Sequence, residues 1–168
     1  MKPPANGVRL MTVQDVMPVA QMVRNLSSYF LSEADAPLPS WFADSLTDES
    51  FKTRLADERF TAWVYQQGND VIGYLAMMRP NKLYHLFVHS DHHGKGVAGD
   101  LWQVARSQWP QQEYVVNASL FAVPVYQKWG FRLQAHGVTL DRSPHSLAQF
   151  VQQKDGIHYL PMIYSTLA

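Results

Sequence analysis

The chain contains no cysteine. Disulfide staples, thiolate metal sites and a cysteine nucleophile are therefore excluded. It also lacks an excess of charge of either sign, with 14 Lys+Arg against 14 Asp+Glu. Broad electrostatic binding of nucleic acid or of an anionic membrane needs a clustered positive excess, so this balance argues against both partners. No segment reaches the run of about 18 apolar residues that a membrane helix requires. The opening residues, Met1-Lys2-Pro3-Pro4-Ala5-Asn6-Gly7, hold no apolar stretch of the signal-peptide kind, which makes the cytoplasm the expected compartment.

What the chain does have is material for a core. Of its 168 residues 46% are hydrophobic and 12% aromatic, enough for one packed domain over 1–168. Gly and Pro punctuate it at intervals suited to alternating helices and strands. Val8 to Met11 reads as a strand. Thr12 to Leu31 reads as a helix, capped by Thr12 with Asp15 three residues on. Val16, Val19, Val23 and Leu26 line one face, and Pro18 either kinks the helix or delays its start. Trp41 to Leu55 reads as a second helix through Phe42, Leu46, Phe51 and Leu55.

Strand signals follow at Phe60–Tyr65, Val71–Met78 and Leu83–His89, an antiparallel meander. A helix from about Gly96 to Trp109 presents Val97, Leu101, Val104, Ala105 and Gln108 on one side, and Pro110 stops it. Tyr114–Ala118 is a short strand, Ala122–Trp129 a short helix closed by Gly130, and Phe131–Ala135 and Ile157–Tyr164 the last strands. Strand, helix, strand in the middle implies a parallel crossover, hence an α/β (α+β) chain with a mixed sheet and helices on both faces.

Chemistry concentrates in Leu86-Phe87-Val88-His89-Ser90-Asp91-His92-His93-Gly94-Lys95-Gly96-Val97-Ala98. A strand runs into a glycine-rich turn that opens an amphipathic helix. Such a turn aims backbone N–H groups, reinforced by the helix dipole, at a phosphate. Gly94 and Gly96 let the backbone approach, and Lys95 adds positive charge. No Walker A string occurs. Gly94-Lys95-Gly96-Val97-Ala98-Gly99 does spell the dinucleotide fingerprint, but no acidic residue ends the next strand to take a ribose. The ligand at this point is a pyrophosphate of open identity.

A second stretch, Asn117-Ala118-Ser119, then Ala122-Val123-Pro124, Tyr126 and Gly130-Phe131, stands downstream in order. The two stretches together resemble the GNAT superfamily of acetyl-CoA-dependent N-acetyltransferases, small bacterial type. His93-Gly94-Lys95-Gly96-Val97-Ala98 matches the family loop Gln/Arg-x-x-Gly-x-Gly/Ala except at its first position. Asp155-Gly156-Ile157 and Leu160-Pro161-Met162 look like the last strand of many members. The resemblance covers about Val8 to Tyr164.

The resemblance implies a mostly antiparallel sheet of about six to seven strands with about four helices, splayed between the central strands. It implies transfer of acetyl from acetyl-CoA, a cosubstrate, to a primary amine of a small molecule or peptide, with no metal and with a homodimer as a reasonable expectation. Main-chain groups of Phe87 and Val88, at a bulge, would pair with the pantetheine arm. Amides around Gly94, Lys95, Gly96, Val97 and Ala98 would hold the pyrophosphate, Asn117 would bond the pantetheine, and Tyr126 would protonate the departing thiolate. Tyrosine suits that task because its ordinary pKa of about 10 keeps it protonated at neutral pH.

Three departures stand out. His93 replaces Gln or Arg, so a side-chain contact to phosphate becomes weaker or pH-dependent. Lys82 stands where many members carry a glutamate base, which leaves His85 as a candidate base against the reading of a packed strand histidine. Gly137 to Lys154 is longer than the usual connection, and Ser143-Pro144 with Leu147, Phe150 and Val151 suggests a short extra helix. His89, His92 and His93 around Asp91 raise a metal site, but no second ligand pair stands at zinc spacing. Trp102 and Trp109 read as packing residues. Tyr29, Phe30, Trp41 and Phe42, with Glu33 and Asp35, flank a loop that would border an acceptor amine. The rival to an enzyme is a non-catalytic acyl-CoA-binding sensor or regulatory module.

Overall fold

The computed structural model describes residues 6–31, 36–133, 151–154 and 157–166. Contacts group the chain into two compact units, residues 1–27 with 40–111 and residues 28–39 with 112–168.

The first unit is built on four strands, β1 (Gly7–Leu10), β2 (Phe60–Gln67), β3 (Asp70–Met78) and β4 (Lys82–Val88), each antiparallel to the next. The expected meander is present. Between β1 and α1 (Val16–Leu26) lies a single 3-10 turn, Val13–Asp15, with Thr12 at its N-cap. The Asp15 carboxylate accepts the Thr12 backbone N–H at 2.8 Å and two bonds from Arg9 at 2.8 and 2.9 Å. Pro18 falls in the first turn of α1, where its missing N–H has no partner to lose, so it starts the helix rather than kinking it. The expected helix to Leu31 ends earlier, with Ser27–Phe30 tightening to 3-10 geometry.

The helix expected over Trp41–Leu55 is two, α2 (Ser40–Asp44) and α3 (Asp48–Ala56). Thr47 is the reason. Its hydroxyl accepts the Ser50 N–H at 3.1 Å and caps α3, which ends any continuous helix at that point. α4 (Val97–Gln108) buries Val97, Leu101, Trp102 and Ala105. A Cβ on Gly73 of β3 would come within 2.8 Å of Val97 Cγ1, so α4 lies close against that face. The next residue, Tyr74, instead meets the Phe51 ring of α3 at 5.8 Å. Successive strand residues face opposite sides, so α3 and α4 cover opposite faces of this sheet, as expected.

The second unit centres on β8 (Ile157–Ser165). β5 (Glu113–Ala118) pairs antiparallel to it from Glu113↔Ser165 to Ala118↔Leu160. β6 (Arg132–Leu133) and β7 (Gln152–Lys154) pair antiparallel to β8 as well. β6 is described only to Leu133, and the rest of the strand expected to Ala135 lies outside the described residues. Of the segment Gly137–Lys154, residues 137–150, which hold nearly all of the expected extra helix, also lie outside them, and the segment ends in strand β7. α5 (Val123–Lys128) stands between β5 and β6. Gly130, at φ +100°, closes α5, and the Phe131 N–H returns to the Tyr126 carbonyl at 3.0 Å.

The described residues thus hold eight strands and five α-helices where about six to seven and about four were expected. The surplus is β7 and the division of one helix by Thr47. The fold class is the expected mixed α/β fold with a mostly antiparallel sheet. Among the described residues no helix is long and apolar enough to cross a membrane.

Candidate active site

β4 delivers the chain to the glycine-rich turn. His89 donates its backbone N–H to the Ile72 carbonyl of β3 at 2.8 Å. Main-chain groups alternate sides along a strand, so those of Val88 point away from β3 and those of Phe87 point toward it. Phe87 pairs Tyr74 in that register. The main-chain groups that face away from β3 at this point are therefore those of Val88. A 3-10 turn, Ser90–His92, follows, with the His89 ring accepting the Asp91 N–H at 3.2 Å. His93 then folds back, and its Nε2 lies 2.7 Å from the Val88 carbonyl oxygen.

Gly94 and Gly96 take φ of +76° and +83°, and Gly96 is the N-cap of α4. A Cβ at either would meet nothing within 4 Å, so these positions need glycine for its backbone and not for room. Gly94, Lys95 and Gly96 are exposed. The first-turn N–H groups of α4, on Val97, Ala98 and Gly99, have no carbonyl inside the helix to bond. Exposed backbone, first-turn donors, the positive helix end and the Lys95 ammonium together make a seat for a diphosphate, so the residues present fit the coenzyme that the sequence implies.

The irregularity in β4 is not at Phe87–Val88, as expected, but at Tyr84. Ala76 pairs His85 and Met77 pairs Leu83, which leaves Tyr84 unmatched. This bulge turns two consecutive side chains to one side, and the Tyr84 and His85 rings stand 4.3 Å apart. His85 Nδ1 lies 3.1 Å from the Tyr74 hydroxyl. Burial, then the charges of Arg54 and Lys82, hold the His85 imidazole well below its usual range, so it is neutral at physiological pH. Burial pushes the Tyr74 phenol up, so it keeps its proton.

In the second unit Asn117 is exposed near the end of β5. Tyr126 sits in α5, 3% exposed, with Trp129 and Phe131 edge-on at 5.5 and 5.3 Å. Burial raises its phenol above the usual tyrosine value. No hydrogen bond engages its hydroxyl among the described residues. Tyr29 and Phe121, 41% and 54% exposed, stack at 4.5 Å. Trp41 and Phe42 meet edge to face at 5.7 Å in the first unit. Glu33 and Asp35 lie outside the described residues.

The expected site residues divide accordingly. His85, Phe87, Val88, His93 and Gly94–Ala98 belong to the first unit, and Asn117 and Tyr126 to the second. His89 and Asp91 approach to 3.8 Å, but among the described residues no three His, Asp or Glu gather as metal ligands. Trp102 is buried in α4, as a packing residue should be. Arg54 and Tyr74 are the polar residues that sequence reasoning passed over. A lone arginine on a helix and a tyrosine in an apolar strand carry no signal until the fold sets both beside His85.

The family model of the acetyltransferase (GNAT) domain matches residues 28–142. A GCN5-related N-acetyltransferase from Rhodopseudomonas palustris is 18% identical, with a TM-score of 0.69 over 98% of each chain. A PaiA N-acetyltransferase from Thermoplasma acidophilum, solved with coenzyme A, is 14% identical, with a TM-score of 0.67 over 96% of this chain and 99% of its own. A predicted acetyltransferase from Clostridium acetobutylicum, solved with acetyl-CoA, is 18% identical, with a TM-score of 0.61 over 82% and 96%. At such identities the likeness establishes the fold. No curated protein sequence matches the chain.

Proposed function

This chain belongs to the GNAT acetyltransferase family, and from that premise we propose that it moves acetyl from acetyl-CoA to a primary amine of a small molecule or peptide by direct attack. The whole chain, 1–168, acts as one N-acetyltransferase domain in this reading. The observation that carries it is the turn at the head of α4, with Gly94 and Gly96 at positive φ and first-turn amides exposed to an anion. Acetyl-CoA supplies the activated acyl group.

The residues divide the work. The amides of Gly94–Ala98 and the Lys95 ammonium hold the diphosphate. Val88 offers its backbone N–H to the pantetheine arm while His93 keeps the carbonyl of the same residue engaged. Phe87 contributes chiefly by packing, since its main chain is turned to β3. Asn117 bonds the arm through its amide. Backbone donors lower the energy of charge developing on the carbonyl oxygen.

Tyr126 holds a proton for the departing sulfur, and burial keeps that proton in place. The attacking amine must be neutral. An alkyl amine of pKa about 10.4 is only ~0.1% neutral near pH 7.4, equivalent to about 4 kcal/mol, so a proton acceptor is required. His85, neutral and with Nδ1 set on Tyr74, is the candidate base. If Nδ1–H donates to the Tyr74 oxygen, the lone pair on Nε2 is the acceptor.

The test is thiol release from acetyl-CoA across an amine panel, with a thermal-shift comparison of CoA, ATP and NAD. Turnover with at least one amine and selective stabilisation by CoA are expected. CoA binding with no turnover for any amine, and unchanged behaviour of Tyr126→Phe, would leave a sensor. Preference for ATP or NAD would refute the coenzyme assignment.

A further inference from the structure

A cavity of about 170 Å³ opens in the first unit against α3, β1, β2 and β3. Met11, Leu55 and Phe60 contribute to its apolar wall, and Arg54 and Tyr74 bring polar groups to it. The state of Arg54 is unusual. Its Nη2 donates to the Ser45 carbonyl at 2.7 Å, and its guanidinium lies 4.6 Å from the centre of the Phe51 ring. Its Nε is buried without a hydrogen-bond partner. None of the ion pairs among the described residues includes it.

None of the residues lining the cavity is acidic. Besides burial, the groups that act on His85 next to this cavity are Arg54 and Lys82, both cationic. A part-buried guanidinium without an acid is unfavourable, because desolvated charge needs a partner. A carboxylate is the complement that fits its planar fork, through two parallel N–H···O bonds. The Tyr74 hydroxyl can add a bond to the same oxygens. The volume is below the ~300–1,000 Å³ of drug-sized pockets, so the body attached to the carboxylate is short.

We propose that this cavity binds a monocarboxylate with a short apolar body, Arg54 receiving the carboxylate and Met11, Leu55 and Phe60 enclosing the body. Two sources share that chemistry. One is the acceptor itself, an amine that also bears a carboxylate, and this version rests on the transfer reading above. Tyr74 favours it, since it lines the cavity and also stands 3.1 Å from His85. The other is a free carboxylate that is not acetylated.

Calorimetric titration of the full chain with butyrate and hexanoate, and with butanol and hexanol as controls, tests the site without any turnover. Saturable binding of the carboxylates is expected, with the alcohols at least about tenfold weaker, as befits loss of a charge-assisted pair. Arg54→Gln should weaken carboxylate binding by about tenfold or more. Leu55 lines the cavity and is half-buried, so Leu55→Glu places a like charge at the cavity wall beside Arg54, and it should weaken binding in the same direction. Thermal midpoints establish that both variants are folded.

The proposal is overturned if no carboxylate binds saturably, if alcohols bind equally well, or if folded Leu55→Glu and Arg54→Gln bind as the parent does. Steady-state kinetics separates the sources. A KM raised by Arg54→Gln for an amino acid but not for its decarboxylated counterpart identifies the acceptor. Carboxylate binding that competes with no acceptor identifies a separate ligand. Failure of acetyl transfer altogether would refute the transfer reading and leave the titrations to judge the cavity.

Discussion

His93 Nε2 stands 2.7 Å from the carbonyl oxygen of Val88, so the residue that opens the glycine-rich turn is tied to the strand end that precedes it. The tie closes the loop from Val88 to His93 on itself and fixes the start of the turn to which the proposed function assigns the diphosphate. Removing it should loosen the seat without unfolding the chain. His93→Ala is expected to weaken CoA binding about three- to tenfold, the range of one hydrogen bond. His93→Gln, which can still donate to Val88, should stay within about threefold of the parent. Calorimetry with CoA checks both, and equal affinity for all three proteins would remove His93 from the loop's support.

Gly96 tests whether conformation or space matters at the helix start. Its φ is +83° and a Cβ would meet nothing within 4 Å. Gly96→Ala should therefore lose about 1–2 kcal/mol through left-handed strain alone, seen as a lower thermal midpoint and weaker CoA binding. Gly96→Asn should recover part of that loss, because asparagine tolerates this region. Equal loss for both variants would point to a steric cause.

Gly73 makes the opposite case. A Cβ there would come within 2.8 Å of Val97 Cγ1 and 3.0 Å of Leu101 Cδ1. Gly73→Ala should destabilise the protein by about 1–3 kcal/mol by overpacking β3 against α4. Because Val97 opens α4, CoA affinity should fall along with stability. Denaturant midpoints and CoA titration measure the two effects.

Tyr126→Phe removes one hydroxyl that no hydrogen bond engages among the described residues. Little stability should change. If the phenol protonates the leaving sulfur, kcat should fall about 10²-fold or more, with KM for acetyl-CoA nearly unchanged. A parent-like kcat at saturating substrates would assign Tyr126 to packing against Trp129 and Phe131.

His85 predicts a pH dependence. Its imidazole is held below the ordinary value of 6.5, so the folded state resists protonation there while the unfolded chain does not. Stability is therefore full above about pH 6.5 and declines as pH falls toward the folded value. His85→Gln should flatten the chemical-denaturation profile between about pH 6.5 and 5. As the base, it should also carry the acidic limb of kcat/KM, so the variant should lose about 10²-fold or more in rate.

Much of this was legible from local sequence. Thr12 with Asp15, Gly130 after α5 and the run from His93 to Ala98 each solve a short-range problem of capping, turning or donor placement. Their physics lies within a few residues, and the structure realises each where the spacing put it. The misreadings share a cause. Thr47 divides a helix whose apolar positions continue through it, because a cap outweighs periodicity when both are offered. The bulge expected at Phe87–Val88 falls at Tyr84 instead, because its place is set by the pairing of β4 with β3, and no short-range pattern announces a partner.

By itself, then, the sequence determined the glycine-rich turn, its cationic lysine, the buried tyrosine before Gly130 and the family to which such a pair of motifs belongs. Only the tertiary structure decided what surrounds His85. A bulge at Tyr84 sets two neighbouring rings side by side, and Tyr74 from β3 and Arg54 from α3 converge on them. Strand register and helix placement are settled by long-range pairing and burial, so chemistry assembled from residues as far as 31 positions apart exists only once the sheet has formed.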